Sequence, residues 1–331
     1  MRVAAFSEGK NLDDPGANED QYLILPGRGL AVIDGVTDRT GHRYDGMLAG
    51  RVASRAVQRA VAEFLLDQPA GSLDPAALVA HTSAAIRAAY DRHGILDIAR
   101  RDAARRFGAT LALAADLGAT FRFVLVGDSG LRLNGAETWI NDTGLDLVTS
   151  SLRQEAYRVV AAAGGDAAAR MAVGRACAFN GTAQLVPEMT PWLDAAGLAG
   201  LHRRCTATCR ARFPQVPVAD IERLLSGGII SGQVAFQNNM VSPLSYAVLD
   251  GFDVPMSLVQ VIDRPRAEVR SIELFTDGYF KPGATPDLAA WEAGFAEVER
   301  EDPEKIDRYP SVKGTTGRIR ADDRTVVIAQ L

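Results

Sequence analysis

The order of elements along the chain predicts an α+β fold, with two antiparallel sheets covered by helices. Three observations predict it. Short apolar runs gather at the start, middle and end of the chain without a regular strand–helix alternation, which disfavours a doubly wound parallel sheet. Two amphipathic helical patterns follow the first strands one after the other. An Ala- and Arg-rich helical stretch, residues 151 to 218, then interrupts the strand pattern.

Taken in order, Val3 to Ser7, Tyr22 to Leu25 and Gly29 to Asp34 read as strands, because each is apolar and bounded by Gly, Pro, Asn or Asp. Gly46 to Leu66 reads as a helix that places Leu48, Val52, Ala56, Val57, Ala60, Val61 and Phe64 near one face. A second helix opens at Asp74-Pro75, with Asp74 as cap and Pro75 in the first turn, and runs to about Tyr90. Gly108 to Ala115 and Thr120 to Val126 are strands around Asp116-Leu117-Gly118. Leu131 to Leu133 and Glu137 to Ile140 pair across the Asn134-Gly135 hairpin signal. The helical stretch is broken at Gly164-Gly165, Pro187 and Pro191. Strands resume at Leu244 to Leu249, Ser257 to Ile262 and Val269 to Thr276. An acidic helix, Asp287 to Arg300, and a strand from Thr325 to Leu331 follow. With no linker and no internal repeat, the expected division is a single domain over 1 to 331 with the helical insert inside it.

Composition narrows the class. Of the 331 residues 47% are hydrophobic and 23% charged, enough apolar material for a folded globular chain. The formal charge of −5 argues against a broadly basic face for nucleic acid. Cys177, Cys205 and Cys209 make no disulfide framework. Cys205 and Cys209 follow His202, yet a structural zinc needs about four ligands, and no second pair lies near. MRVAAFSEGK lacks the apolar core of a signal peptide, and no apolar run reaches membrane-spanning length, so no membrane partner and a cytoplasmic location are expected.

The acidic residues carry the chemistry. Asp34 follows AVI and precedes Gly35; Asp128 follows FVLVG; Asp277 follows ELFT and precedes Gly278. Asp322 and Asp323 precede TVVIAQL, and Glu19 and Asp20 lead into YLIL. A carboxylate at the end of a buried strand is costly unless it reaches water, a donor or a cation. A glycine beside it allows tight backbone and leaves a carbonyl accessible. Any one of these acids alone reads as a turn residue. Together, all placed against apolar strands, they point to a hard, oxygen-seeking cation such as magnesium or manganese.

In order, the chain carries NED (Asn18 to Asp20), AVIDG (Ala31 to Gly35), FGATLAL (Phe107 to Leu113), VGDSG (Val126 to Gly130), LSYAVLDG (Leu244 to Gly251), FTDG (Phe275 to Gly278) and DDRTVVI (Asp322 to Ile328). This series resembles the metal-dependent protein phosphatases of the 2C type. The resemblance implies a four-layer α-β-β-α sandwich and two divalent metal ions, Mn or Mg. It implies that Asp34 bridges the metals, while the Gly35 carbonyl and the pair Glu19/Asp20 complete one of them, directly or through water. Asp277 and Asp322 complete the other, and Asp128 stands for a weak third metal beside Asp277. Asp34 and Asp277 are then the catalytic residues. The implied reaction is hydrolysis of phosphoserine or phosphothreonine in a phosphorylated protein by a hydroxide held between the metals, without a covalent intermediate.

Three departures from the family pattern bear on activity. Where many members have a His after the bridging Asp-Gly, this chain has Val36, then Thr37 and Asp38. Where members carry an Arg that grips the phosphate, it has Pro15; Lys10, Arg39 and Lys313 are the candidate replacements. Where the family often has an Asp that holds the third metal, it has Lys281. Two alternatives follow: an inactive relative that binds a phosphorylated partner, and a phosphohydrolase of small phosphoesters. The insert holds eight Arg, no Lys and four acidic residues. It reads as a solvated basic surface or, by the resemblance, as a flap that contacts the phosphoprotein.

Overall fold

The run GLAVI forms a strand, Gly29–Ile33, whose five residues are all buried. Its side chains divide by period two: Leu30 and Val32 enter one apolar core, Ala31 and Ile33 another. A strand covered on both faces reads as a continuous apolar run, as this one does.

The structure, a computed structural model, describes residues 1–36, 41–69 and 71–331. The chain divides into two units, one of residues 1–141, 246–298 and 318–331 and the other of residues 142–245 and 299–317. The first unit begins with β1 (Arg2–Glu8), β2 (Gln21–Leu25), β3 (Gly29–Ile33), β4 (Arg43–Tyr44) and β5 (Met47–Leu48). Next come α1 (Ala49–Asp67), α2 (Pro75–Arg92), α3 (Leu96–Arg101), β6 (Leu111–Asp116), β7 (Thr120–Val126), β8 (Gly130–Leu133) and β9 (Glu137–Trp139). The helices α4 (Leu145–Ala162), α5 (Ala167–Asn180), α6 (Ala195–Arg212) and α7 (Val218–Ser231) belong to the second unit. The chain continues through β10 (Gln260–Pro265), β11 (Ser271–Phe275), α8 (Leu288–Glu301) and β12 (Arg324–Gln330).

In the first unit two antiparallel five-stranded sheets run β1-β12-β11-β8-β9 and β10-β7-β6-β3-β2. Leu30, Val32, Ala112, Ala114, Phe123 and Leu125 of one sheet share a core with Leu131, Ile272, Leu274, Val327 and Ala329 of the other. The opposite face of β3 and β6 packs on α1 and α2 through Val57, Val61, Leu78 and Ile86. Trp291 of α8 covers Phe275, Val326 and Ile328 on the far side of β11 and β12. These three cores separate four layers, helix, sheet, sheet and helix, as expected for the α+β sandwich.

Local differences have local causes. The helix expected from Gly46 begins at Ala49, because Asp45 and Gly46 take left-handed φ of 50° and 79° and turn a short hairpin between β4 and β5. The run 244–249, expected as a strand, forms isolated bridges instead of a continuous ladder; Leu249 exchanges both backbone hydrogen bonds with Ala109 at 2.9 and 3.0 Å. Asp250 then turns the chain, accepting from Phe252 N at 3.0 Å and pairing with Arg106 at 2.9 Å. Asp74 caps α2 as expected, accepting from Ala76 N at 2.9 Å.

The second unit is helical. Gly164-Gly165 separates α4 from α5, and Pro187 and Pro191 lie in the connection to α6. Asp166 and Asp194 cap α5 and α6 through Ala169 N and Gly197 N at 2.8 and 2.7 Å. Helix α7 begins at Val218, where the expected insert ends. Cys177, Cys205 and Cys209 are buried and free; burial raises the first two thiols to a pKa of about 12. Arg153, counted with the basic surface in sequence, is 1% exposed and donates to the carbonyls of Glu304, Lys305 and Ser311 at 2.6, 2.8 and 3.0 Å. Arg204 is exposed and pairs with Glu155 at 3.1 Å. Among the described residues no helix is long and apolar enough to cross a membrane.

Candidate metal centre

Antiparallel register brings the strand-end acids together in the first unit. Gln21 pairs with Ile33, so Asp20 and Asp34 flank the same end of the β2–β3 pair. Phe275 pairs with Val326, which places Asp277 beside the start of β12 and its leading acids Asp322 and Asp323. Asp128 lies in the short connection from β7 to β8. Glu19, Asp20 and Asp323 are buried, Asp34, Asp128 and Asp322 half-buried, and Asp277 exposed.

Backbone contacts fix the strand ends. Thr110 N donates to the Asp34 carbonyl at 2.8 Å, and Val36 N to the Gly108 carbonyl at 2.9 Å. At Gly35 a Cβ would meet the Gly50 carbonyl oxygen at 2.4 Å and the Glu19 carbonyl oxygen at 2.7 Å. At Gly278 it would meet the Asp323 carbonyl oxygen at 1.9 Å. Glycine follows each aspartate because the backbones beside it leave no room for a side chain.

Electrostatics follow from the crowding. Burial pushes the Asp34 carboxyl well above the usual carboxylate range, and the neighbouring charges of Asp277, Asp20, Asp128 and Asp322 push it further. Among the described residues no group donates a hydrogen bond to that carboxylate. Burial and the charge of Asp323 raise Asp20 to about 7, although Thr276 Oγ1 donates to its Oδ2 at 2.8 Å. Its other oxygen, Oδ1, is buried and makes no hydrogen bond. Donor chemistry here is all hard oxygen, and an orphaned buried carboxylate oxygen calls for a cation.

One cation is built into the chain. Lys10 Nζ lies 3.2 Å from Glu19 Oε2, 3.1 Å from Asp322 Oδ1 and 2.9 Å from Asp323 Oδ2. Burial alone would weaken its hold on the proton. The charges of Asp322, Asp323 and Glu19 more than offset that, and its pKa is raised. Among the described residues no three His, Cys, Asp or Glu side chains are arranged as ligands of one metal ion. The three carboxylates that do converge meet on Lys10. The set thus fits a divalent cation in its chemistry, while its present arrangement is closed around an ammonium.

The structure therefore gathers Glu19, Asp20, Asp34, Gly35, Asp128, Asp277 and Asp322 at one end of the two sheets, with Lys10 among them. Arg39 lies outside the described residues, as do Thr37 and Asp38. Lys313 belongs to the second unit. Lys281 pairs with Glu297 of α8 at 2.6 Å. Sequence reasoning left Asp323 out of the site, yet it is a hub. Its Oδ1 accepts from Lys10 N at 2.7 Å and its Oδ2 from Glu19 N at 3.3 Å and from Lys10 Nζ. The doubled Asp before the last strand was the signal. Thr276, which orients Asp20, carried none.

The chain is similar in structure to bacterial serine/threonine phosphatases. Against the Mycobacterium tuberculosis serine/threonine phosphatase PstP/Ppp it shows 20% identity over 100% of this chain and 98% of that one, with a TM-score of 0.47. A PstP catalytic domain in complex with two manganese ions is 19% identical over 99% of this chain and 97% of that one, with a TM-score of 0.47. Stp1 from Staphylococcus aureus is 12% identical over 100% of this chain and 95% of that one, with a TM-score of 0.45. No family model matches the chain, and no curated protein matches its sequence.

Proposed function

We propose that the chain is a metal-dependent phosphatase that hydrolyses phosphoserine or phosphothreonine in proteins. The observation that carries this reading is Asp34, a carboxylate raised in pKa by burial and by four neighbouring carboxylates and given no donor by the described residues. Such a group is stable as an anion only beside a cation. The residues that would hold a divalent ion are Asp34, Asp20 and Asp277, with Glu19, the Gly35 carbonyl, Asp128 and Asp322 around them. Bound there, the ion supplies Lewis acidity and a water of lowered pKa. Thr276 fixes the rotamer of Asp20, and Gly35 lets the backbone approach closely; both keep the donor set ordered before substrate arrives. The substrate class is taken from the motif series, Asn18 to Asp20 through Asp322 to Ile328.

The experiment is phosphate release from phosphoserine and phosphothreonine peptides by chelator-treated protein, with and without manganese. Release with manganese, and none from Asp34→Asn, is expected. Lys10 favours a second reading, a module that holds a phosphorylated partner without hydrolysing it, because its ammonium already neutralises part of the cluster. Retention of the phosphopeptide without release under any metal would select that reading. Release from p-nitrophenyl phosphate but from no peptide would select a small-molecule phosphohydrolase.

A further inference from the structure

Lys10 is held more firmly than an exposed lysine that only grips a substrate would require. Its backbone N–H donates to Asp323 Oδ1 at 2.7 Å, and its carbonyl accepts from Arg320 N at 2.7 Å. Gly9 before it lies against Asn18, where an added Cβ would come within 3.0 Å of the Asn18 Cβ. The side chain is 16% exposed, and its ammonium meets three carboxylates at 2.9 to 3.2 Å. An ammonium has three N–H donors, so three carboxylates satisfy it fully. Charge-assisted bonds of this kind offset the cost of burying a lysine only when the partners are well placed.

The cluster thereby has two halves. Glu19, Asp322 and Asp323 each pair with a cation from within the chain, the Lys10 ammonium. Asp34 has carboxylate neighbours and, among the described residues, no donor. We propose that Lys10 is a resident cation that takes the place of a second divalent ion, so that this chain binds one divalent ion, at the Asp34 half. The inference rests on the metal-dependent reading above and goes beyond it in stoichiometry. A free ion competing for the Glu19 half must break three ion pairs to a cation that is tethered and so present at high effective concentration.

Calorimetric titration of chelator-treated protein with manganese chloride tests this. The wild type is expected to bind one equivalent and Lys10→Met two, while phosphopeptide hydrolysis is followed separately. In thermal melts, Lys10→Met without metal is expected to melt lower than the wild type and to gain more from saturating manganese. Two equivalents in the wild type, or one in both proteins, would overturn the role of Lys10 and leave the metal-dependent reading standing. No binding by either protein would overturn both. If Lys10→Met fails to fold without metal, refolding in manganese but not in sodium chloride of equal ionic strength supports the substitution of one cation for another. Failure to refold in either overturns it.

Discussion

The hydroxyl of Thr276 donates to Asp20 Oδ2 at 2.8 Å and accepts from the backbone N–H of Thr325 at 2.9 Å. One side chain thus ties the end of β11 and the start of β12 to the acidic pair that opens β2. Thr276→Val keeps the shape and removes both hydrogen bonds. The expected result is a manganese affinity about 10- to 100-fold lower, as for other groups that orient a ligand. Calorimetry at pH 7.5 measures it, with circular dichroism to show an unchanged fold.

Asp20, raised to about 7, and Asp34, raised further from its ordinary range, fix the sign of the pH dependence. A carboxyl that holds its proton more tightly when folded favours folding at low pH. That contribution is complete below its unfolded pKa near 3.9 and is lost as pH rises through its folded pKa. Metal-free protein is therefore expected to lose melting temperature between about pH 4 and pH 7. Saturating manganese should remove most of that loss, because ligands must be deprotonated to bind it. Melts across this range, with and without the ion, check both statements.

Asp34→Asn separates stability from function. It removes one of several crowded like charges, so the metal-free variant is expected to melt at or above the wild type at pH 8. Its manganese-dependent rise and its phosphate release should both be lost. A variant that kept the full rise would remove Asp34 from the centre.

Gly35→Ala tests the close approach of backbone. The added methyl meets the Gly50 carbonyl oxygen at 2.4 Å, and neither it nor the Glu19 carbonyl beside it is free to turn away. Strain of this kind costs about 1–3 kcal/mol or more. Urea unfolding in the absence of metal reads it. Gly27→Ala meets no atom within 4 Å, and its own cost comes from its positive φ of 72° alone.

Two arginines of the helical unit should behave oppositely. Arg153→Met removes the donor of three carbonyls, that of Lys305 buried and those of Glu304 and Ser311 partly so; a buried orphan costs about 1–3 kcal/mol, so the variant should be strongly destabilised. Arg204→Ala breaks a pair with Glu155 at the surface and should cost about 1 kcal/mol or less. Unfolding curves of the two variants give the comparison.

Most of the sandwich was legible because its inner strands are buried on both faces, and GLAVI or TVVIAQL can hardly be anything else. The acids were legible because they stand where those runs stop. What escaped was whatever depends on residues far apart in the chain. Nothing near position 10 announces that Lys10 will meet Asp322 and Asp323, and an arginine on a helix pattern looks the same whether it is solvated or, like Arg153, buried against carbonyls. The Asp45-Gly46 turn was a local signal, overlooked because the helical periodicity beside it was strong. At Leu249 the strand-like composition was real, but the run pairs only in isolated bridges and Asp250 turns the chain away.

The position of β12 between β1 and β11 has a consequence for synthesis. A ribosome that has delivered the first 300 residues has made Asp34, Asp20 and Asp277, and also Lys10. It has not made Asp322 and Asp323, nor the only strand that joins β1 to its sheet among the described residues. Until β12 emerges, β1 lacks its sheet partner and the lysine lacks Asp322 and Asp323. The centre therefore assembles only once residues 322 to 330 have emerged, and a nascent chain cut short before them lacks Asp322, Asp323 and the sheet partner of β1.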